Sequence, residues 1–242
     1  MYSIKIFTDT DNLSKSVCDL IVDRAKKAIE KYGIFSMALS GGSSPVPIYR
    51  MLSSPQYSTN IDWSKTHLFW GDERCVPARH PANNYYCAYS NLISRIHIPE
   101  SNIHRAPVEL NDPEKVAMTY EHELKKFFKY KMDKSESSLF DLILLGMGKD
   151  GHTASIFPDR EVIAGSNRWV VPSVAPEGVE PKHRITFTFS LINRSVLGLI
   201  IVIGQDKRKI LKETLNALKK HKYPVCQINT IEKPLLFVDF EV

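Results

Sequence analysis

The chain has few cysteines and no pairing pattern among them. Cys18, Cys75, Cys87 and Cys226 form no CxxC unit and fit no zinc spacing. A disulfide scaffold or zinc module is thereby excluded, and reduced thiols in a cytoplasmic protein are the simplest reading. Arg74 beside Cys75 would favour some thiolate character there, but no Cys/His motif supports a nucleophile. No segment approaches the run of about 20 apolar residues that spans a bilayer. The first seven residues, MYSIKIF, alternate like a strand and lack the basic head and long apolar core of a secretory leader. No membrane partner is expected. HExxH, EF-hand and GxSxG patterns are missing, the turn 40–45 is neither a Walker loop nor a GxGxxG fingerprint, and His104, His122 and His183 share no metal spacing with His152. Charge of one sign is missing too. The 32 basic and 27 acidic residues leave a net charge of +5. That balance suits an anionic small molecule and is too weak and too evenly spread for nucleic acid. The densest basic piece, residues 125–131, reads as the solvated face and end of a helix.

What is present is ordinary for a globular protein: 43% hydrophobic and 24% charged residues. A length of 242 residues fits one α/β domain, taken here as 1–242, or two small ones. A chain of this size buries roughly 70–75% of its unfolded surface and needs no covalent staples. Strand and helix patterns alternate throughout. They predict a doubly wound, mostly parallel sheet with helices on both faces. Strands are expected at 3–7, 34–39, 67–70, 139–145, 185–189, 197–203 and 235–240. Helices are expected at 13–32, in a short piece ending near Leu52, and at 83–93, 114–128 and 208–218. Gly33 stands where a helix should stop. Residues 171–181 read as a long irregular loop, a kind of segment that is often functional.

Ligands in open α/β sheets bind beyond the carboxyl ends of the strands, and several chemistry-bearing pieces fall there. The apolar run Leu142 to Leu145 ends in Gly146-Met147-Gly148 and delivers Lys149, Asp150, Gly151 and His152. The turn Ser40-Gly41-Gly42-Ser43-Ser44-Pro45 lies between a strand and a helix. Its backbone N–H groups and the helix dipole could bind an anion, a small-molecule phosphate better than ATP or NAD. Trp70-Gly71-Asp72-Glu73-Arg74 offers a cation with an acid that could orient it. Lys207, after Gly204-Gln205-Asp206, and Arg184, at the head of a strand, are further candidate phosphate contacts. Each piece alone also has an ordinary reading, as a capped turn, a surface histidine or a rim charge.

Together these motifs resemble the 6-phosphogluconolactonase family. The match comprises Leu39 to Pro45 with Tyr49 and Leu52, Gly71 to Pro77 with Asn83-Asn84-Tyr85, Gly146 to Pro158, Arg184-Ile185-Thr186, and Gly204 to Lys207. The resemblance implies a Rossmann-like fold shared with glucosamine-6-phosphate deaminases, no metal and no organic cofactor. It also implies hydrolysis of a sugar-phosphate lactone by a monomer or small homo-oligomer. His152 would be the general base on water, a task suited to an imidazole, and Asp150 would orient it. Ser40, Gly41, Gly42 and Ser43 with Lys207, helped by Arg74 or Arg184, would hold the phosphate. Two other readings stand beside this one: the sister deaminase/isomerase and a non-catalytic sugar-phosphate sensor. The deaminases keep an acid five positions after the same histidine, where this chain has Phe157, and they have Asp-Glu-Tyr where it has Asp72-Glu73-Arg74. Retention of Asp150 and His152 speaks against the sensor. Asp159 and the segment Val225-Cys226-Gln227-Ile228 depart from the lactonase pattern and put the C-terminal contacts in question.

Overall fold

The computed structural model describes residues 2–133, 138–158, 167–216 and 222–242. Nine strands form two sheets among them: β1 (Ser3–Ile6), β2 (Phe35–Leu39), β3 (Thr66–Trp70), β4 (Asp72–Arg74), β5 (Leu142–Gly146), β6 (Val170–Val174), β7 (His183–Phe187), β8 (Leu197–Val202) and β9 (Leu235–Val238). The main sheet has the order β1-β9-β8-β5-β2-β3 and every pairing in it is parallel. Helices α1 (Thr10–Tyr32), α2 (Val46–Leu52), α3 (Asn84–Asn91), α4 (Pro113–Phe127) and α5 (Arg208–Leu215) are the longer ones.

Local chemistry explains the elements. The Asp9 carboxylate accepts the Asn12 N–H at 2.7 Å and caps α1; Gly33, with φ 80°, closes it by donating to the Ile29 carbonyl. Leu13, Val17, Ile21, Ala25 and Ala28 share one stripe of α1 and are buried. Strands β2 and β8 are buried along their whole length, as parallel strands covered on both faces must be. Alternate residues divide between the two faces. Phe35, Met37 and Leu39 pack with the α1 and α2 side, whereas Ala38, Ile143 and Leu145 pack with α4 and with Val170 and Phe187 of the smaller sheet.

The smaller sheet is a departure from the sequence expectation. Strands β4, β7 and β6 pair antiparallel. Gly71 joins the two sheets: its N–H donates to Leu39 O, and its carbonyl accepts from Phe187 N–H. The first half of the expected 171–181 loop is β6. Pro172 read as a loop signal, yet β6 lies at the edge of its sheet, where a residue without an N–H is tolerated. The strand expected at 185–189 runs instead from His183 to Phe187, because Phe189 begins a short helical turn.

A second correction concerns the basic stretch. Lys131 is fully buried and donates to Leu139 O at 2.7 Å, with Asp141 Oδ1 at 3.5 Å. Asp141 in turn accepts from the backbone N–H and hydroxyl of Ser36. This polar cluster joins the amino ends of β2 and β5, the end of the sheet opposite the glycine-rich loops. Asp159 and the expected run of the last helix to Leu218 fall outside the described residues.

Candidate functional site

Strand β2 has β3 on one side and β5 on the other, so the chain winds in opposite directions from this point of the sheet. Such a switch point leaves a crevice beyond the carboxyl ends of the strands. A cleft of about 180 Å³ opens here. Its walls include the turn 40–44, Gly146, Met147 and Gly148, His152 and Ala154, with Asp72, Arg74 and Lys207 completing it. Seven residues expected at the site, Ser40, Gly41, Gly42, Ser43, Arg74, His152 and Lys207, thus converge on one cavity.

The turn is held open from below. Tyr49, buried on α2, donates its hydroxyl to Ser40 O at 2.6 Å. Among the described residues, no protein group accepts the N–H groups of Gly41, Gly42, Ser43 or Ser44. Such donors at the entry to a helix have the chemistry that suits an anion. Gly41 is required by a close approach, since a Cβ there would fall 1.7 Å from Asn84 Oδ1. The Lys207 ammonium lies 3.4 Å from the Ser44 hydroxyl. Burial lowers its pKa, with the nearby carboxylates of Asp206 and Asp239 opposing that shift.

The opposite wall carries the imidazole. His152 Nδ1 lies 2.5 Å from Asp150 Oδ1, and the same oxygen accepts the His152 backbone N–H at 3.1 Å. A carboxylate only accepts, so this bond assigns a proton to Nδ1, and in the neutral imidazole Nε2 is then the acceptor. Burial pushes the Asp150 carboxyl up, but its bonds and charge interaction with His152 outweigh this and hold it below the usual range. Gly148 makes room for the pair: a Cβ would lie 2.1 Å from His152 Nδ1 and 2.7 Å from Asp150 Oδ1. The Phe157 ring, buried, lies 4.8 Å from the imidazole.

The third wall comes from the smaller sheet. Arg74 donates through Nη1 to Ala82 O at 2.8 Å, while its Nε is buried without a partner. Glu73 does not orient the guanidinium, as its place beside Arg74 suggested. Its carboxylate accepts the backbone N–H groups of Arg74, Asn84 and Tyr85, and so fastens β4 to the start of α3. Arg184, 4% exposed, does not line the cleft; its guanidinium stacks over Phe157 at 5.5 Å and donates to Pro181 O. Burial, then the neighbouring charge of Arg74, lowers its pKa. The Cys75 thiol is pushed up to about 11 by burial and next by Glu73, the reverse of the thiolate character expected beside Arg74.

Sequence reasoning gave no role to two residues of the site. Asp72 lines the cleft and accepts from the Ser155 hydroxyl at 2.6 Å. Asn84 donates to the carbonyl of Asp72 and is the residue against which Gly41 packs. Both lie inside the recognised motifs, but only their tertiary contacts reveal what they do. No group of three or more His, Cys, Asp or Glu side chains among the described residues is arranged to hold a metal ion.

Comparison with known proteins agrees with this geometry. A family model described as glucosamine-6-phosphate isomerases/6-phosphogluconolactonase matches residues 8–236. The 6-phosphogluconolactonase of Synechocystis is 40% identical over 193 residues, covering 80% of this chain and 76% of that protein. The 6-phosphogluconolactonase of Nostoc is 36% identical over 211 residues, covering 87% and 84%. Among solved structures, a 6-phosphogluconolactonase from Thermotoga maritima superposes with a TM-score of 0.80 at 29% identity, covering 97% of this chain and 98% of that one.

Proposed function

As the chain belongs to the family of glucosamine-6-phosphate isomerases and 6-phosphogluconolactonases, we propose that its cleft hydrolyses 6-phosphoglucono-δ-lactone through a water activated by His152. Hydrolysis of this cyclic ester to 6-phosphogluconate is a step of the pentose phosphate pathway, and it is the chain's activity. In the proposed mechanism Nε2 of His152 takes a proton from water as the oxygen attacks the lactone carbonyl. The tetrahedral intermediate collapses with cleavage of the bond between the carbonyl carbon and the ring oxygen. The imidazolium returns its proton to that oxygen, which leaves as a hydroxyl. Asp150 keeps the imidazole in the required tautomer and favours its charged form in the transition state. The free N–H groups of the turn 40–44, Lys207 and Arg74 grip the phosphate, with the Arg184 charge acting from behind Arg74. Binding energy from this remote group fixes the lactone against the water.

The observation that carries the reading is His152, bonded to Asp150 and lining the same cavity as the turn 40–44 and two cations. The isomerase reading would need a proton-carrying acid beside the imidazole at position 157. An aromatic ring stacked under Arg184 occupies that position, and its contacts support hydrolysis. A side-by-side assay of 6-phosphoglucono-δ-lactone and glucosamine 6-phosphate tests this. Rapid lactone hydrolysis without ammonia release is expected; ammonia release without hydrolysis would overturn the reading. The proposed setting is the cytoplasm, with the chain acting as one domain without metal or organic cofactor, as a monomer or small homo-oligomer. Four cysteines, none of them in a disulfide, support a reducing compartment. No described helix is long and apolar enough to cross a membrane.

A further inference from the structure

Gly151, between Asp150 and His152, has φ 80°, in the left-handed region that side chains disfavour. Its environment is equally restrictive. A Cβ at Gly151 would lie 2.6 Å from Cδ1 of Tyr223, 3.0 Å from its Cγ and 3.1 Å from its Cβ. The carbonyl of the same glycine accepts the Val225 N–H at 3.1 Å. One short segment therefore grips this peptide twice, by a flat ring against its Cα and by a hydrogen bond to its oxygen.

That segment is itself well fixed. Pro224–Gln227 forms a 3-10 turn, and Tyr223 and Val225 are buried. The Tyr223 hydroxyl donates to Glu213 Oε2 at 2.5 Å, Cys226 Sγ donates to Thr214 O at 3.3 Å, and the Tyr2 hydroxyl donates to Val225 O. The loop bearing the imidazole thus leans on α5 and on the amino-terminal strand. Neither Tyr223 nor Val225 lines the cleft. Among the described residues they meet the catalytic loop at the backbone of Gly151, whose conformation sets the direction of the next side chain, His152.

We propose that Tyr223 and Val225 are positioning residues that hold Gly151 in its left-handed conformation and so aim His152, bonded to Asp150, into the cleft. This rests on the reading of His152 as general base. The departure of residues 225–228 from the lactonase sequence pattern is then no loss of function, because the backbone N–H of Val225 and the ring of Tyr223 make the contacts.

The test compares wild type, Tyr223→Phe, Tyr223→Ala, Gly151→Ala and the double variant Gly151→Ala/Tyr223→Ala, each at matched folded fraction. Two readouts are taken: kcat and KM for the lactone, and the downfield proton resonance of the His152 Nδ1–H bonded to Asp150. Tyr223→Phe, which keeps the ring, should stay close to wild type in both. Tyr223→Ala should lose about tenfold in kcat with little change in KM, as misaimed groups do, and its resonance should shift or broaden. Gly151→Ala should lose more, and the double variant should recover part of that loss because the ring that collides with the new Cβ is gone. Wild-type kcat and resonance in Tyr223→Ala, or no recovery in the double variant, would overturn the proposal. Should Tyr223→Ala not fold, Tyr223→Leu takes its place with the same expectations. If the wild type does not hydrolyse the lactone, the reading of function fails, while the resonance still reports on the clamp.

Discussion

Arg74 and Arg184 stand directly opposite each other in the antiparallel β4–β7 pair. Among the described residues neither is in a salt bridge, and their mutual repulsion is one reason the Arg184 pKa falls. Two like charges side by side, Arg184 buried and Arg74 half-buried, favour an anion near them. Inorganic phosphate should therefore stabilise the protein. At a hundredfold excess over Kd the gain is ~2.7 kcal/mol, and for a chain of this size that is a rise in Tm of about 5–10 °C. Thermal melts with and without phosphate check it. The shift should shrink in Arg74→Ala and Lys207→Ala, and equal shifts in all three proteins would remove these cations from the phosphate site.

The Asp150–His152 bond predicts two different losses. His152→Ala should lower kcat by about 10²–10⁴-fold, the usual weight of a general base, with KM little changed. Asp150→Asn keeps the shape but offers the imidazole an amide, which no longer requires a proton on Nδ1. Its kcat should fall less than that of His152→Ala. Steady-state kinetics of both variants decide; full lactone turnover in His152→Ala would exclude the imidazole as base.

Gly148 allows the pair to exist. The Cβ in Gly148→Ala would overlap His152 Nδ1 at 2.1 Å, so the imidazole must rotate away from Asp150. Overpacking of this kind costs about 1–3 kcal/mol, but the larger effect should be on kcat, comparable to that of Asp150→Asn. Gly41→Ala is the matching test on the phosphate side, where Asn84 Oδ1 would lie 1.7 Å away. It should raise KM. A Gly148→Ala variant with wild-type kcat would show that the tight approach to His152 is dispensable.

Two groups, Glu73 buried and His67 half-buried, oppose each other in the dependence of stability on pH. Burial, then His104, pushes His67 down to about 4. Its contribution is present above the unfolded value near 6.5 and is lost as pH falls towards 4. Burial pushes Glu73 up to about 7, against the pull of three backbone N–H groups. Its contribution is present below the unfolded value near 4.5 and is lost as pH rises through 7. Between pH 4.5 and 6.5 the two slopes cancel in part. His67→Gln should leave a protein whose stability declines as pH rises across this window; Glu73→Gln should leave one whose stability declines as pH falls. Denaturant unfolding at several pH values measures both, and identical pH profiles for the two variants would contradict the assignment.

Much of the fold was legible in the sequence because the signals are local. Runs such as Leu197 to Val202 are apolar throughout, as strands covered on both faces require. Asp9 and Gly33 punctuate α1 through bonds to residues three and four positions away. The motif residues lie at strand ends, and every parallel strand delivers its loop to the same end of the sheet. Local pattern thus placed the turn 40–44, His152 and Lys207 around one crevice. It failed where a residue's meaning depends on a distant partner. Pro172 was read as a loop because its tolerance at a sheet edge depends on β7. Lys131 was read as a surface charge because Leu139 and Asp141, which receive it, are brought close only by folding. Cys75 was assigned an electrostatic neighbour without its burial.

The sequence by itself determined the order of the six parallel strands and the longer helices, the glycine turns between them and the identity of the acid and imidazole, since all of these are written over a few adjacent residues. Tertiary structure alone decided which cation reaches the cleft. Arg74 lines it and Arg184 stands behind, because their opposition in β4 and β7 is a register between segments more than 100 residues apart. It also decided that Tyr223 leans on Gly151 and that Asn84 leans on Gly41. Packing distances of this kind come from two segments meeting in space, and neither segment carries them alone.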